Sequence, residues 1–241
     1  MPSRTGWTRQ QTLVALNLYC QIPFGKLDHR NTEIIRCAEL IGRTPSALAM
    51  KLSNFASLDP AITSTGRRGL PNVSNADKAI WTEMQADWGQ FAVEARQAAS
   101  ELGVADPGAT GEVEGTGEPP DYTGADRQAE VAVRIGQYSF RRAVLSAYDY
   151  RCCITGLAVP SLLIASHIKP WRVDERNRLN PQNGLCLSAL HDRAFDVGII
   201  TITDEMTVSV SQAQATDEGG FFQSALSSYN GRSITLPEKF P

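Results

Sequence analysis

One stretch of 24 residues has a composition that cannot form a folded core, and it divides the chain into two parts. Residues 101–124 contain six glycines, three prolines and six acidic residues, with almost no large apolar side chain. Such a segment favours an extended, self-repelling tether. The sequence therefore predicts a domain at residues 1–100, an acidic Gly/Pro linker at 101–124 and a second domain at 125–241.

The negative charge of the acidic linker offsets the positive net charge of the first domain. The formal net charge of the chain is -3, but residues 1–100 carry +3, residues 101–124 carry -6 and residues 125–241 carry zero. In the last part, the basic side chains gather before residue 194. This distribution permits a partner that bears phosphate groups.

The apolar runs are short, and none approaches the roughly 18 residues that cross a bilayer. The first eleven residues lack the apolar segment of a secretory signal. The five cysteines form an odd set without a CxxC pair, which favours neither a disulfide framework nor zinc knuckles. We expect a cytoplasmic protein with no membrane partner.

Residues 1–100 have the apolar spacing of helices. Helices are predicted over residues 8–20, 31–41, 44–59 and 75–99. The second and third are joined by a short turn with a glycine, as in a helix-turn-helix motif.

This motif predicts DNA contacts in two places. Lys51 and Asn54 are expected on the outer face of the third helix, and Arg67 and Arg68 at the tip of a β-hairpin wing over residues 62–73. The alternative is a plain helical bundle in which the two arginines occupy a solvated turn.

Three short motifs follow one another in the second domain: SHIKPW, NPQNGLCL and LHDRAFD. The first ends a short apolar strand, the second opens another strand, and Ser188 is placed to cap the helix of the third. A strand, loop, strand and helix in this order should bring His167, Asn183 and His191 together.

These motifs resemble the HNH endonucleases, which share a ββα-metal fold. The preceding RIGQYSFRRAVLSAYDYRCCITG and the later YNGRSITLPEKFP are similar to a branch found in predicted bacterial restriction enzymes. The resemblance implies that His167 is the general base, Asn183 the central asparagine and His191 a metal ligand. The expected fold class is α+β, with an N-terminal helical, winged-helix-like domain tethered to a C-terminal ββα-metal nuclease domain.

The side chains of these residues are suited to the hydrolysis of a phosphodiester bond. The resemblance implies that the products carry 3'-hydroxyl and 5'-phosphate ends. An imidazole can take a proton from water near neutral pH, and a divalent cation neutralises charge on the phosphate oxygens. Asn183 can hydrogen-bond the loop between the strands and so orient His167. Lys169 and Arg172 on that loop are expected to contact DNA phosphates.

One position departs from the family. Many HNH nucleases have an aspartate directly before the base histidine as a second metal ligand, and here that position is Ser166. Either Asp192 or Asp196 supplies the carboxylate, or His191, water and the substrate phosphate hold the metal. We expect Mg²⁺ or Mn²⁺, and imidazole ligation also admits Co²⁺ or Ni²⁺.

The predicted function is that of a metal-dependent endonuclease acting on double-stranded DNA. A helix-turn-helix reader attached to an HNH domain resembles modification-dependent restriction enzymes, so methylated DNA is the expected substrate. One HNH site cuts one strand, so a homodimer is expected, at least on DNA. The alternatives are an HNH nuclease that reads unmodified DNA and a DNA-binding regulator whose HNH domain is inactive.

Overall fold

The computed structural model describes residues 6–104, 124–211 and 220–240. Most of the predicted linker lies outside these ranges, so its tether-like character stays a prediction. In the described residues, helices are combined with two small antiparallel sheets, which confirms the α+β class. No helix in these ranges is long and apolar enough to cross a membrane.

Residues 6–104 form six α-helices with no strand between them. They are α1 (Arg9–Gln21), α2 (Thr32–Leu40), α3 (Pro45–Ala56), α4 (Pro60–Ser64), α5 (Asn75–Ala86) and α6 (Trp88–Glu101). Side-chain caps mark where several of them begin. Thr8 forms a capping box with Gln11 at the start of α1, and Thr44 caps α3 directly before Pro45.

The helix predicted over residues 75–99 is divided in two by Asp87. This residue has an extended backbone, and its side chain accepts a hydrogen bond from the Gln90 amide. It therefore ends α5 and caps α6, because aspartate at such a position satisfies the free amides of a new helix.

The predicted β-hairpin wing over residues 62–73 is wrong. Asp59 caps a helix with Pro60 at its first position, so the segment begins inside α4 instead of a strand. Farther on, the Leu70 amide donates to the Ser53 carbonyl at 3.0 Å. The chain therefore returns against α3 instead of projecting as a hairpin.

The C-terminal part begins with the long helix α7 (Gly124–Ala147). Strands β1 (Leu163–His167) and β2 (Gly184–Ser188) pair antiparallel, with Leu163 opposite Ser188 and His167 opposite Gly184. Helix α8 (Ala189–Asp196) follows β2 directly. Strands β3 (Ile200–Ile202) and β4 (Val208–Val210) pair antiparallel as a hairpin, and α9 (Phe221–Ala225) comes next.

The N-terminal helices contact the C-terminal part directly. Helix α7 packs against α1 and α6, and the chain near residue 240 enters the N-terminal core. The Phe240 ring lies edge-on to Trp88 with centroids 5.2 Å apart. Lys239 is fully buried and donates to the carbonyls of Tyr19 and Ile22 at the end of α1. The two parts are thus joined by packing and not only through residues 105–123.

Candidate active site

The turn from β1 through β2 into α8 gathers the predicted site residues. Ser166 and His167 end β1, and His191 lies in the first turn of α8, which packs against both strands. Opposite His167 stands Gly184, where a Cβ atom would lie only 2.4 Å from Val144 Cγ2. A glycine is therefore needed for α7 to pack closely behind the paired strands.

His167 is fixed on three sides. Its Nε2 lies 2.9 Å from the Arg178 carbonyl, and its ring stacks on Phe140 at 4.3 Å with an interplanar angle of 8°. Trp171 meets the ring edge-on at 5.6 Å. Because a carbonyl only accepts, Nε2 carries the proton in this hydrogen bond. The Nδ1 lone pair of the neutral ring is then available to accept a proton.

Asn183 joins the two ends of the loop between the strands. Its Oδ1 accepts from the Lys169 amide at 2.7 Å, and its Nδ2 donates to the Lys169 carbonyl at 3.1 Å. The Asn183 carbonyl also accepts from the Ile168 amide. These bonds hold the residues directly after His167, which is the supporting position predicted for this asparagine.

His191 is buried, and its two ring nitrogens have different surroundings. Nδ1 lies 2.8 Å from the Ser188 hydroxyl, whereas Nε2 makes no hydrogen bond with a described residue. Tyr229 covers the ring edge-on at 5.5 Å. Burial lowers the pKa of His191, against a smaller opposing contribution from the Ala225 backbone. A neutral imidazole with a free nitrogen is suited to bind a cation.

Ser166 and two carboxylates complete this end of the site. The Ser166 hydroxyl is buried and makes no well-formed hydrogen bond among the described residues. Burial raises the pKa of Asp192, and the nearby Ser166 and His167 oppose this rise. Asp196 is exposed at the last position of α8. Of the two candidate carboxylates, Asp192 is therefore the one that faces the β1 residues.

The donor set fits a cation held by few protein ligands. Two buried polar atoms that make no well-formed hydrogen bond within the described part of the chain, Ser166 Oγ and His191 Nε2, belong to elements that pack together. No group of three or more His, Cys, Asp or Glu side chains in the described ranges is arranged to hold a metal. Water and substrate phosphate would have to complete the coordination.

Some of the basic residues predicted to contact DNA are exposed, and others are already paired with acidic side chains. Lys169 and Arg172 are exposed on the loop after β1, with Lys169 3.8 Å from Asp174. Arg68 is exposed, but Arg67 forms an ion pair with Glu238 at 3.1 Å.

Two of the predicted contacts on α3 lie elsewhere than expected. Lys51 is not on the outer face: it is buried, pairs with Asp77 at 2.7 Å and lies over the Trp7 ring. It follows Leu48 by one helical turn and therefore faces the core side of α3. Asn54 is half-buried. The outer face of α3 thus offers fewer DNA contacts than the sequence predicts.

Three aromatic residues of the site are absent from the sequence prediction. Phe140 and Trp171 position His167, and Tyr229 covers His191. A usable signal for Phe140 is its four-residue spacing from Val144, which places both on one face of α7. The contacts of Trp171 and Tyr229 depend on loop and tail conformations that have no periodicity.

The comparisons with known proteins agree with this geometry. Residues 152–203 match the family model described as HNH endonuclease. This range includes β1, β2, α8 and β3, and therefore His167, Asn183 and His191. No curated protein and no solved structure matches the chain. Residues 152–203 thus match the HNH endonuclease domain that the three motifs predict.

Proposed function

We propose that this protein hydrolyses phosphodiester bonds in double-stranded DNA, with His167 as the general base. The observation that carries the proposal is the fixed tautomer of His167. Its Nε2–H is held by the Arg178 carbonyl, and the opposite nitrogen is left with a free lone pair. Water attacks phosphorus and gives its proton to Nδ1, the bond to the 3' oxygen breaks, and that oxygen takes a proton from solvent.

The neighbouring residues support this step. Phe140 and Trp171 hold the plane of the His167 ring, and Asn183 holds the loop that carries the Arg178 carbonyl. His191 Nε2, with Asp192 as the nearer carboxylate, would hold a divalent cation such as Mg²⁺ or Mn²⁺, with Co²⁺ or Ni²⁺ as further candidates. Such a cation supplies positive charge where the phosphoryl oxygens become more negative.

Lys169 and Arg172 are proposed to contact the DNA backbone beside the cut. Both are exposed on the loop held by Asn183, and the loop follows the base histidine directly. Positive charges at this position would hold the DNA backbone so that the phosphate to be cut lies next to His167.

The requirement for a modified base and the homodimer remain predictions. The winged-helix resemblance behind the first is weakened, because residues 62–73 form no hairpin and Lys51 is buried. The homodimer is predicted because one HNH site cuts one strand, and a duplex has two strands.

The test of nuclease function is digestion of supercoiled plasmid with Mg²⁺ or Mn²⁺, using wild type, His167→Ala and His29→Ala. His29 is an exposed histidine far along the chain from the motif and serves as the matched control. We expect cutting by wild type and His29→Ala and none by His167→Ala. Equal cutting by both variants would refute the assignment of the base.

The same digestion separates the finer alternatives. Plasmid from methylation-proficient and methylation-deficient hosts should be cut unequally if a modified base is required, and equally if unmodified DNA is the substrate. If the protein binds DNA but does not cut it with Mg²⁺, Mn²⁺, Co²⁺ or Ni²⁺, the result would favour a DNA-binding regulator with an inactive HNH domain.

A further inference from the structure

A cleft lies outside the candidate active site, between α1, α2, α6 and Arg142 of α7. Its volume is about 330 Å³, within the roughly 300–1,000 Å³ usual for small-molecule sites. None of the residues proposed for DNA hydrolysis lines it. The nuclease function therefore does not explain this cleft.

Three arginines from three different helices line the cleft: Arg36, Arg96 and Arg142. Arg142 donates to Glu33, the acidic residue of the lining, at 3.1 Å. Within the described ranges, the side chains of Arg36 and Arg96 make no ion pair or hydrogen bond. The lining thus carries excess positive charge, and two guanidinium groups are free for an anion.

Helix α1 adds two amide side chains to the same wall. Asn17 and Gln21 are one helical turn apart, and neither side chain hydrogen-bonds another described residue. Gln21 is 7% exposed as a whole residue, and its amide atoms reach the open space of the cleft. An amide on the wall of a cleft that is not bonded to the protein can hydrogen-bond a ligand with donors and acceptors of its own.

The remaining lining is mainly apolar and includes Leu18, Leu40 and Ala99. An inorganic anion would leave this surface uncovered, whereas an organic phosphate with a planar ring would cover it. We propose that the cleft binds a phosphorylated planar molecule of mononucleotide size. Its phosphate lies on Arg36 and Arg96, its ring lies on the apolar wall, and Asn17 and Gln21 hydrogen-bond the ring edge.

Calorimetric titration of the full chain tests this proposal. The probes are the four deoxynucleoside 5'-monophosphates, each alone, with the nucleosides and inorganic phosphate for comparison. We expect at least one monophosphate to bind once per chain, and its nucleoside and phosphate alone to bind at least tenfold more weakly. No binding of any monophosphate at millimolar concentration would overturn the proposal.

Three substitutions locate the binding. Arg36→Gln, Arg96→Gln and Gln21→Leu should each weaken monophosphate binding at least tenfold, whereas Arg151→Gln should leave it unchanged. Arg151 is exposed and lies outside the cleft. Arg36 is exposed, so its substitution preserves the fold even where Gln21→Leu does not. Binding that Arg36→Gln and Arg96→Gln do not change would place the ligand elsewhere and refute the proposal.

The phosphate could instead belong to a DNA strand. A short duplex should bind wild type, Arg36→Gln and Arg96→Gln with affinities and salt dependences within twofold of each other. If both variants weaken duplex binding and no monophosphate binds, the cleft is a DNA-backbone contact and the proposal is wrong. His167→Ala should keep full monophosphate binding, so the proposal is tested separately from nuclease activity.

Discussion

The loop held by Asn183 allows a prediction in which stability and rate can be separated. Asn183→Ala removes both hydrogen bonds to Lys169, at 2.7 and 3.1 Å. Lys169 is exposed, so water can replace part of what is lost. At a net value of about 0.5–1.5 kcal/mol per bond, the free energy of unfolding should fall by roughly 1–3 kcal/mol.

The effect on cleavage should be larger than this loss of stability suggests. The loop that Asn183 holds carries the Arg178 carbonyl, which fixes the tautomer and position of His167. A displacement of about 1 Å in a catalytic group can lower the rate by around 100-fold. We therefore expect about a 100-fold fall in the single-turnover nicking rate for Asn183→Ala.

Asn183→Asp tests the donor separately. It keeps an acceptor for the Lys169 amide but places a second oxygen against the Lys169 carbonyl, where two acceptors repel each other. This variant should therefore cut at least about tenfold more slowly than wild type, because more than one hydrogen bond of about 1 kcal/mol is lost.

Plasmid nicking under single-turnover conditions and urea unfolding measure the two quantities. Asn177→Ala is the matched control, because its side chain bonds only exposed polar groups of the same loop. The reasoning is refuted if Asn183→Ala nicks within threefold of wild type, or if Asn177→Ala loses as much activity.

Three further substitutions test the packing between the two parts of the chain and the packing behind the site. Phe240→Ala should lower the free energy of unfolding, measured by urea titration, by about 3–5 kcal/mol, because Phe240 is only 3% exposed. The control Phe221→Ala, at an exposed position, should change this free energy little. Burial lowers the pKa of Lys239 to about 8, so above this pH folded Lys239 holds fewer protons than it does in the unfolded state, and the contribution of this group to stability should rise. The free energy of unfolding of wild type relative to Lys239→Met should therefore increase from pH 7.5 to 9. Gly184→Ala should lower the melting temperature and slow nicking, because its Cβ would clash with α7, and Gly25→Ala, with open space around it, should do neither.

The sequence predicted those parts of the fold that depend on local signals. Thr8, Thr44 and Ser188 cap helices as their side chains and positions indicate. The motif order placed His167 at the end of one strand and His191 at the start of the following helix. Such features depend on neighbours within a few residues, so a single sequence contains the information needed to predict them.

Contacts between distant residues were not predictable in this way. The sequence around Lys51 predicts a surface lysine. Its burial depends on the ion pair with Asp77, which lies 26 residues later in the chain. The packing of Phe240 against Trp88 likewise joins the C-terminal segment to a helix far earlier in the chain. Neither contact leaves a periodic pattern, because each depends on how whole helices are arranged.

Ser166 is the position at which this chain departs most clearly from the family pattern, and Ser166→Asp tests what the departure means. The serine hydroxyl is buried, lacks a well-formed hydrogen bond, and lies near Asp192. In EDTA, a second buried carboxylate should lower the melting temperature, because an unpaired buried charge is costly. With Mn²⁺ it should become a ligand, and a cation at about 100 times its Kd adds roughly 2.7 kcal/mol to stability. We therefore expect a larger Mn²⁺-induced rise in melting temperature for Ser166→Asp than for the neutral, similarly sized Ser166→Asn. Equal rises in the two variants would show that the cation does not bind beside residue 166.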